Sequence, residues 1–308
     1  MADIVIIGGI NIDIEGYPYK DLVEQDSNPG RIKISYGGVG RNIAENAARI
    51  GEKVAMLSVI GADELGRGAR SHLAGLGVDV SMVREIPGRG SAIYLSILNP
   101  NRDMHLGLCD MEIIQELTAA DIRKAGTVFE SAAAVALDGN LEEEMLRDAT
   151  EILSDKMLFY DPVSANKAHR AKACIGRFHS IKPNLIEAEV LSGMKIETDE
   201  ELRNAARYFL DKGVKNVYIT LNCDGVYFKN KEKEGFIRPP KSIKIESATG
   251  AGDAFSAAVL YGMAHGLEID EIAALGMAAS QIAMESEKAV NEKIKNIEDI
   301  KRRVTQNV

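Results

Sequence analysis

The stretch Ser247–Phe255, SATGAGDAF, sets two glycines and an aspartate at the head of an apolar segment, SAAVLYGMAHG. Gly250 and Gly252 let the backbone turn tightly and let a ligand come close. Phe255, Val259 and Met263 then share one helical face, and Gly266 is placed to end the helix. The free N–H groups of Gly250, Ala251, Gly252 and Asp253 would cluster at a helix N-terminus, which favours an anion. A carboxylate competes with an anion there, unless Asp253 takes the proton of a hydroxyl that attacks it. A base beside an oxyanion cradle is the arrangement that phosphoryl transfer needs. An aspartate that only stabilises the helix dipole is the other reading of these residues.

Further polar residues sit on glycine-rich turns. In YGGVGRNIAENAARIG (Tyr36–Gly51), Gly37, Gly38 and Gly40 precede an amphipathic helix with Asn42 in its first turn. Asn42 can donate to and accept from a polyol. Ile43 stands where a dinucleotide fingerprint needs its third glycine, so that motif is excluded. In GGINIDIEG (Gly8–Gly16), Asn11 and Asp13 follow the first strand, at the end where open α/β sheets bind ligands. In IKPNLIEAEVLSG (Ile181–Gly193), Asn184 and Glu187 share a helical face, as a helix cap or as groups near a hydrated metal ion. Asp224-Gly225 is a turn between two strands, the first of which ends at Thr220. GADELGRG has P-loop spacing but lacks the lysine and the hydroxyl residue, and the five histidines show no ligand spacing.

The elements that must hold these residues alternate. Strands are expected at Ile4–Gly8, Val54–Ile60, Ala133–Leu137, Met157–Tyr160, Phe178–Ile181 and Val217–Leu221. Amphipathic helices lie between them, such as the one carrying Leu65, Ala69, Leu73 and Leu76, and Thr118–Asp121 forms a capping box. The expected fold is therefore α/β, a three-layer α/β/α domain with a mostly parallel central sheet. Residues of about 14–36 and 90–108 break the rhythm as strands and turns without helices, and predict a small projecting β-sheet. The tail from Glu285 is expected to be a surface helix. The 308 residues carry a net charge of −9, which argues against a nucleic-acid partner. Three dispersed cysteines give no disulfide framework, and no apolar run is long enough for a bilayer, so a cytoplasmic protein with no membrane partner is expected.

GGVGRN near residue 40 and TGAGDAF near residue 250 resemble the two signatures of the PfkB carbohydrate kinase family, with NLIE and TLNCDG as further landmarks in the same order. The likeness covers nearly the whole chain, as one ribokinase-like kinase domain over 1–308. DSNPG before the glycine loop, LCDM, DPVSANK and IKPNLIEAEVLSG are similar to a nucleoside-phosphorylating branch. The resemblance implies ATP and Mg2+ as cofactors and a small-molecule nucleoside as substrate. It implies Asp253 as the base for the 5′-hydroxyl and residues 250–253 as the anion hole. Asn11, Asp13, Gly37, Gly38, Asn42 and Asp138 match sugar-binding positions. Asn184, Thr220 and Gly225 match the nucleotide side, and Glu187 a position that reaches magnesium through water. The small β-sheet would be a lid, and its exposed edge would pair two copies into a homodimer. Two departures stand out. Ser247 replaces an aspartate that helps to hold a monovalent cation, which leaves potassium activation open. Val39 replaces a loop lysine, so phosphate charge must be met elsewhere; Arg41 and Lys167 are candidates, each otherwise a solvated surface charge.

Overall fold

The structure, a computed structural model, describes residues 2–239 and 245–306. Thirteen strands are present among them: β1 Ile4–Ile7, β2 Asn11–Pro18, β3 Gly30–Gly37, β4 Val54–Gly61, β5 Val83–Ile86, β6 Ala92–Leu98, β7 Met104–Asp110, β8 Ala134–Asp138, β9 Met157–Asp161, β10 Ser180–Ile181, β11 Asn216–Thr220, β12 Val226–Lys229 and β13 Glu234–Ile237. The helices are α1 Val39–Arg49, α2 Glu64–Gly75, α3 Ala119–Lys124, α4 Gly126–Glu130, α5 Glu143–Ile152, α6 Ala165–Ala168, α7 Leu185–Ser192, α8 Asp199–Lys212, α9 Ala251–Ala264, α10 Ile269–Met284 and α11 Ile297–Gln306.

Nine strands form one sheet in the order β13-β12-β11-β10-β9-β8-β1-β4-β5. It is parallel from β5 to β11, and β12 and β13 run antiparallel at the edge. Strands β1, β4 and β8 are buried along their whole length, as strands covered on both faces must be. One apolar core includes Ile122, Phe129, Leu146, Leu191 and Phe209 from α3, α4, α5, α7 and α8. The other packs Ile43, Leu73, Phe255 and Ile272 from α1, α2, α9 and α10. This is the expected three-layer α/β/α architecture. The chain runs outward from β1 to β4 and β5, then returns to β1's other side with β8, so the strand order reverses at β1. Ligand crevices form at such a reversal, beyond the carboxyl ends of the strands.

The small sheet is also present, in the order β3-β2-β6-β7. Its register puts Ile34, Ile14, Leu95 and Leu108 in one row across the four strands, and Ile32, Gly16, Ile97 and Leu106 in the next. Asp13, Glu15, Lys33 and Tyr94 occupy the opposite face and line a cleft of about 1000 Å3 that the loops at 246–249 and 287–292 also border. The outer face is apolar and open: Ile34 is 57% and Leu108 58% exposed. The tail differs from expectation, because helix begins only at Ile297 and residues 285–296 are bends and turns.

Candidate active site

Gly250 immediately precedes helix α9; its φ of 80° is left-handed, and its missing Cβ would fall 1.8 Å from the Ala289 carbonyl oxygen. Only glycine fits both constraints. Among the described residues no side chain caps this helix end, and the first-turn N–H groups of Gly252 and Asp253 have no acceptor within the helix. Asp253 is 9% exposed and accepts a hydrogen bond from Asn42 Nδ2 at 2.8 Å. Burial, reinforced by Asp161, pushes its carboxyl up to about 7, against the opposing pull of Asn42 and Lys182. A carboxylate poised near neutral pH is what a general base requires.

Asn42 owes its orientation to Arg41. The Arg41 guanidinium donates to Asn42 Oδ1 at 2.7 Å and to the Tyr36 carbonyl at 3.0 Å, and pairs with Glu45. The Asn42 carbonyl oxygen is thereby taken, and its amide nitrogen faces Asp253. Arg41 is thus neither a surface charge nor a free phosphate ligand: it is 4% exposed, and Glu45, one turn along α1, holds it.

Asn11 and Asp13 lie at the start of β2 and share a 2.6 Å hydrogen bond from Asn11 Nδ2 to Asp13 Oδ1. A Cβ on Gly37 would fall 2.2 Å from Asp13 Oδ2, and one on Gly38 would fall 2.4 Å from the Gly9 carbonyl oxygen and 3.0 Å from Asn11 Oδ1. The glycines of this loop are therefore required by the carboxylate and the β1–β2 turn. Burial raises the Asp13 pKa, with Asn11 opposing. Asp138 is placed differently from the sugar contact that its position implied. It is 1% exposed, and its carboxylate accepts from the backbone N–H groups of Gly9, Gly40 and Asn140 at 2.9, 2.8 and 2.9 Å, and from Asn140 Nδ2. Asp138 ties β1 to the head of α1.

Asn184 and Glu187 form a reciprocal cap on α7, with bonds of 2.9 and 2.8 Å. Asn184 bridges to Thr220, and Gly225 follows with φ of 99° where a Cβ would meet the Ile237 carbonyl oxygen at 2.0 Å. These nucleotide-side candidates do converge, at the carboxyl ends of β10 and β11.

Two residues escaped the sequence reading. Lys182 follows β10 at 5% exposure, pairs with Asp161 Oδ2 at 3.1 Å, and stands 3.1 Å from where a Cβ on Gly252 would be. Burial alone would lower its pKa, but Asp161, Glu187 and Asp253 outweigh burial and hold the ammonium charged. Asp161 also accepts from Ser256 Oγ at 2.7 Å, which ties β9 to α9. Their signal was the strand end before KPN and DPV. An ammonium, free helix N–H groups and a buried carboxylate of raised pKa thus meet at one helix head. Such a group of atoms can take a proton from a hydroxyl and hold an anion beside it.

Residues 1–296 match the model of the pfkB family carbohydrate kinases. The chain belongs to that family. This kinase is 34% identical over 284 residues to the pseudouridine kinase of Escherichia coli K12, covering 92% of this chain and 91% of that one. It is 28% identical to the guanosine-inosine kinase of Exiguobacterium acetylicum, over 92% and 95% of the two chains. Its fold matches the ribokinase of Arabidopsis thaliana, solved with ribose and ATP, at a TM-score of 0.83 and 19% identity, over 98% of each chain. The fold is therefore ribokinase-like, and the protein is a phosphotransferase of this family. No helix among the described residues is long and apolar enough to cross a membrane.

Proposed function

We propose that this kinase transfers the γ-phosphoryl group of ATP to the 5′-hydroxyl of pseudouridine. The observation that carries the chemistry is Asp253, buried in the first turn of α9 with a carboxyl pushed up to about 7. The likeness to pseudouridine kinase over 92% of the chain carries the substrate. Asn11, Asp13, Gly37, Gly38 and Asn42 hold the sugar, with Asp138 bracing the loops beneath it. Asp253 takes the 5′-hydroxyl proton as the O5′–Pγ bond forms and the bond from Pγ to the bridging oxygen breaks, releasing ADP. The N–H groups of residues 250–253 and the Lys182 ammonium face the charge on the transferring group. Asn184, Thr220 and Gly225 border the nucleotide.

Magnesium, when bound with ATP, shields the phosphate charge. Glu187 fits a role towards it: one carboxylate oxygen caps α7, and burial raises the pKa of the group while Lys182 opposes. Mg2+ keeps most of its waters and takes only one or two protein carboxylates. Among the described residues no cluster of three or more His, Cys, Asp or Glu side chains forms a ready-made cage, so the ion would come with the nucleotide. The small sheet acts as a lid that excludes water from the reaction. The exposed edge of this sheet pairs two copies, and four large apolar side chains on the edge strands β3 and β7, Ile32, Ile34, Leu106 and Leu108, are more than half exposed on its outer face. A cytoplasmic location follows from the same reading.

ADP release with ATP and magnesium, compared across pseudouridine, uridine, adenosine, ribose and fructose, tests the proposal. Turnover at least tenfold more efficient with pseudouridine supports it. Equal or better turnover of ribose or another nucleoside refutes the substrate and keeps the site chemistry. That second outcome is the ribokinase or general nucleoside kinase alternative, which the likeness to guanosine-inosine kinase favours. No turnover with any of them would turn the reading to a non-catalytic nucleoside-binding regulator.

A further inference from the structure

Beside the sugar residues lies a polar chain that phosphoryl transfer does not use. Lys167 Nζ donates to Asn140 Oδ1 at 2.6 Å, and Asn140 Nδ2 donates to Asp138 Oδ2 at 3.0 Å. An ammonium only donates and a carboxylate only accepts, so the Asn140 amide is oriented from both ends. A Cβ on Gly9 would fall 2.8 Å from Asn140 Nδ2 and 3.3 Å from the terminal methyl of Met111. The Gly9 carbonyl in turn abuts Gly38, beside Asn11. The chain therefore adjoins the sugar residues.

Lysine 167 is delivered there by a strained turn. Val163 has φ of 69°, a region that β-branched residues rarely enter. Ser164 N–H donates to the Pro162 carbonyl at 2.8 Å, closing a three-residue turn, and Val163 N–H donates to Asp161 Oδ1 at 3.0 Å. The Pro162 carbonyl oxygen lies 2.1 Å from where a Cβ on Gly139 would stand, so the two loops touch backbone to backbone. Arg170 braces the second loop by donating to the carbonyls of Gly139 and Asn140 at 3.3 and 3.1 Å, and pairs with Glu142 at 3.0 Å. Strain of this kind persists only where the surroundings over-determine it, and it gathers at functional sites. An ammonium has three donors, and Asn140 takes one.

We propose that Lys167, oriented by Asn140, donates a hydrogen bond to a carbonyl oxygen of the substrate's nucleobase and so sets the preference for a nucleoside over a free sugar. The Met111 methyl offers an apolar surface to the flat ring. This inference rests on the nucleoside kinase reading above and names the contact that would make it selective. Lysine can supply only donors, so the partner atom is an acceptor, and the ring N–H that distinguishes pseudouridine from uridine is read elsewhere.

The test compares Lys167→Met with wild type on pseudouridine and on ribose, at saturating ATP and magnesium. A hydrogen bond from a charged group corresponds to a loss of roughly 10- to 100-fold. The expected result is that loss in kcat/KM for pseudouridine, carried mainly by KM, with a loss for ribose at least fivefold smaller. Lys167→Arg, which keeps a donor, should recover part of it. Equal losses on both substrates, or a fall in kcat with KM unmoved, overturn the proposal and place the lysine on the phosphoryl group. If Lys167→Met does not fold, Lys167→Gln and Lys167→Arg carry the same comparison. Wild type that prefers uridine or inosine refutes pseudouridine as substrate but leaves the Lys167 comparison to be read on that nucleoside. Wild type that turns over ribose as well as every nucleoside removes both.

Discussion

Asp253→Asn separates the two things that this carboxylate does, because activity and stability should move in opposite directions. Turnover should fall on the order of 10²- to 10⁴-fold, since the amide cannot take the hydroxyl proton. Stability should rise. The increase in pKa from 3.8 to about 7 makes the ionised form about 4 kcal/mol costlier in the fold than in the unfolded chain. Below pH 4 the group is neutral in both states and the substitution changes little. Between pH 4 and 7 the folded protein keeps a proton that the unfolded chain has lost, so wild-type stability falls as pH rises. Above pH 7 the full cost applies. The variant should therefore gain from near zero at pH 4 to as much as about 4 kcal/mol at pH 8, while its amide oxygen still accepts from Asn42. Denaturant unfolding at pH 4, 6 and 8 measures the stability, and coupled ADP release measures the turnover. Wild-type kcat/KM should rise about tenfold per pH unit up to about 7 and then level off. Turnover within tenfold of wild type, or a stability difference that does not grow with pH, refutes the assignment of Asp253 as a buried base.

Lys182→Met should lower kcat by about 10²-fold and raise KM for ATP, and should destabilise by about 3 kcal/mol because Asp161 is left buried without its ion pair; steady-state kinetics and urea unfolding read the two effects, and unchanged kinetics would make the lysine purely structural. Gly250→Ala forces a Cβ to 1.8 Å from the Ala289 carbonyl at φ of 80°, so a loss of more than about 2 kcal/mol and of thermal protection by ATP is expected, and protection by ATP equal to that of wild type would refute the anion-hole geometry. Ile34→Lys with Leu108→Lys puts charge on the outer face of the lid and should convert a dimer to a monomer in sedimentation at micromolar concentration; a wild-type monomer there refutes pairing through the lid sheet.

The central sheet was legible because its strands are continuous apolar runs between periodic helices, and that pattern survives any detail of packing. Boundaries slipped where local turns intervened. Phe178 was expected to begin a strand, but its N–H bonds to the Ile175 carbonyl and pairing with β9 and β11 starts at Ser180. The tail has the composition of a surface helix, yet Asn291, 3% exposed, bonds to the Ile282 carbonyl and anchors an irregular segment instead. Motif spacing brought Asp253 and Asn42 to one place although 211 positions separate them. It could not show that Arg41 turns inward, because that depends on Glu45 and on the space beneath β3. Lys182 is a lone lysine in sequence, and only the fold shows it paired with Asp161 and beside Gly252.

The charges around Lys182 explain why one residue of the glycine loop must remain small. Asp161, Glu187 and Asp253 all raise the lysine's pKa, so the ammonium is held by more negative charge than it can cancel. A bare triphosphate would add to that excess, and a buried charge is tolerated only when paired. On the proposed function, the head of α9 would therefore hold an anion best with the ammonium close to its N–H groups. Gly252 permits that closeness: a Cβ on it would lie 3.1 Å from Nζ. A side chain there would be in tight contact with the ammonium, which would have to give by a few tenths of an ångström. Moving the ammonium away from Asp253 would weaken the pull that lowers the carboxyl's pKa, and less of it would be ionised at neutral pH. The anion cradle and the basicity of Asp253 are in this way one electrostatic arrangement, and the second glycine of the loop is the residue that couples them.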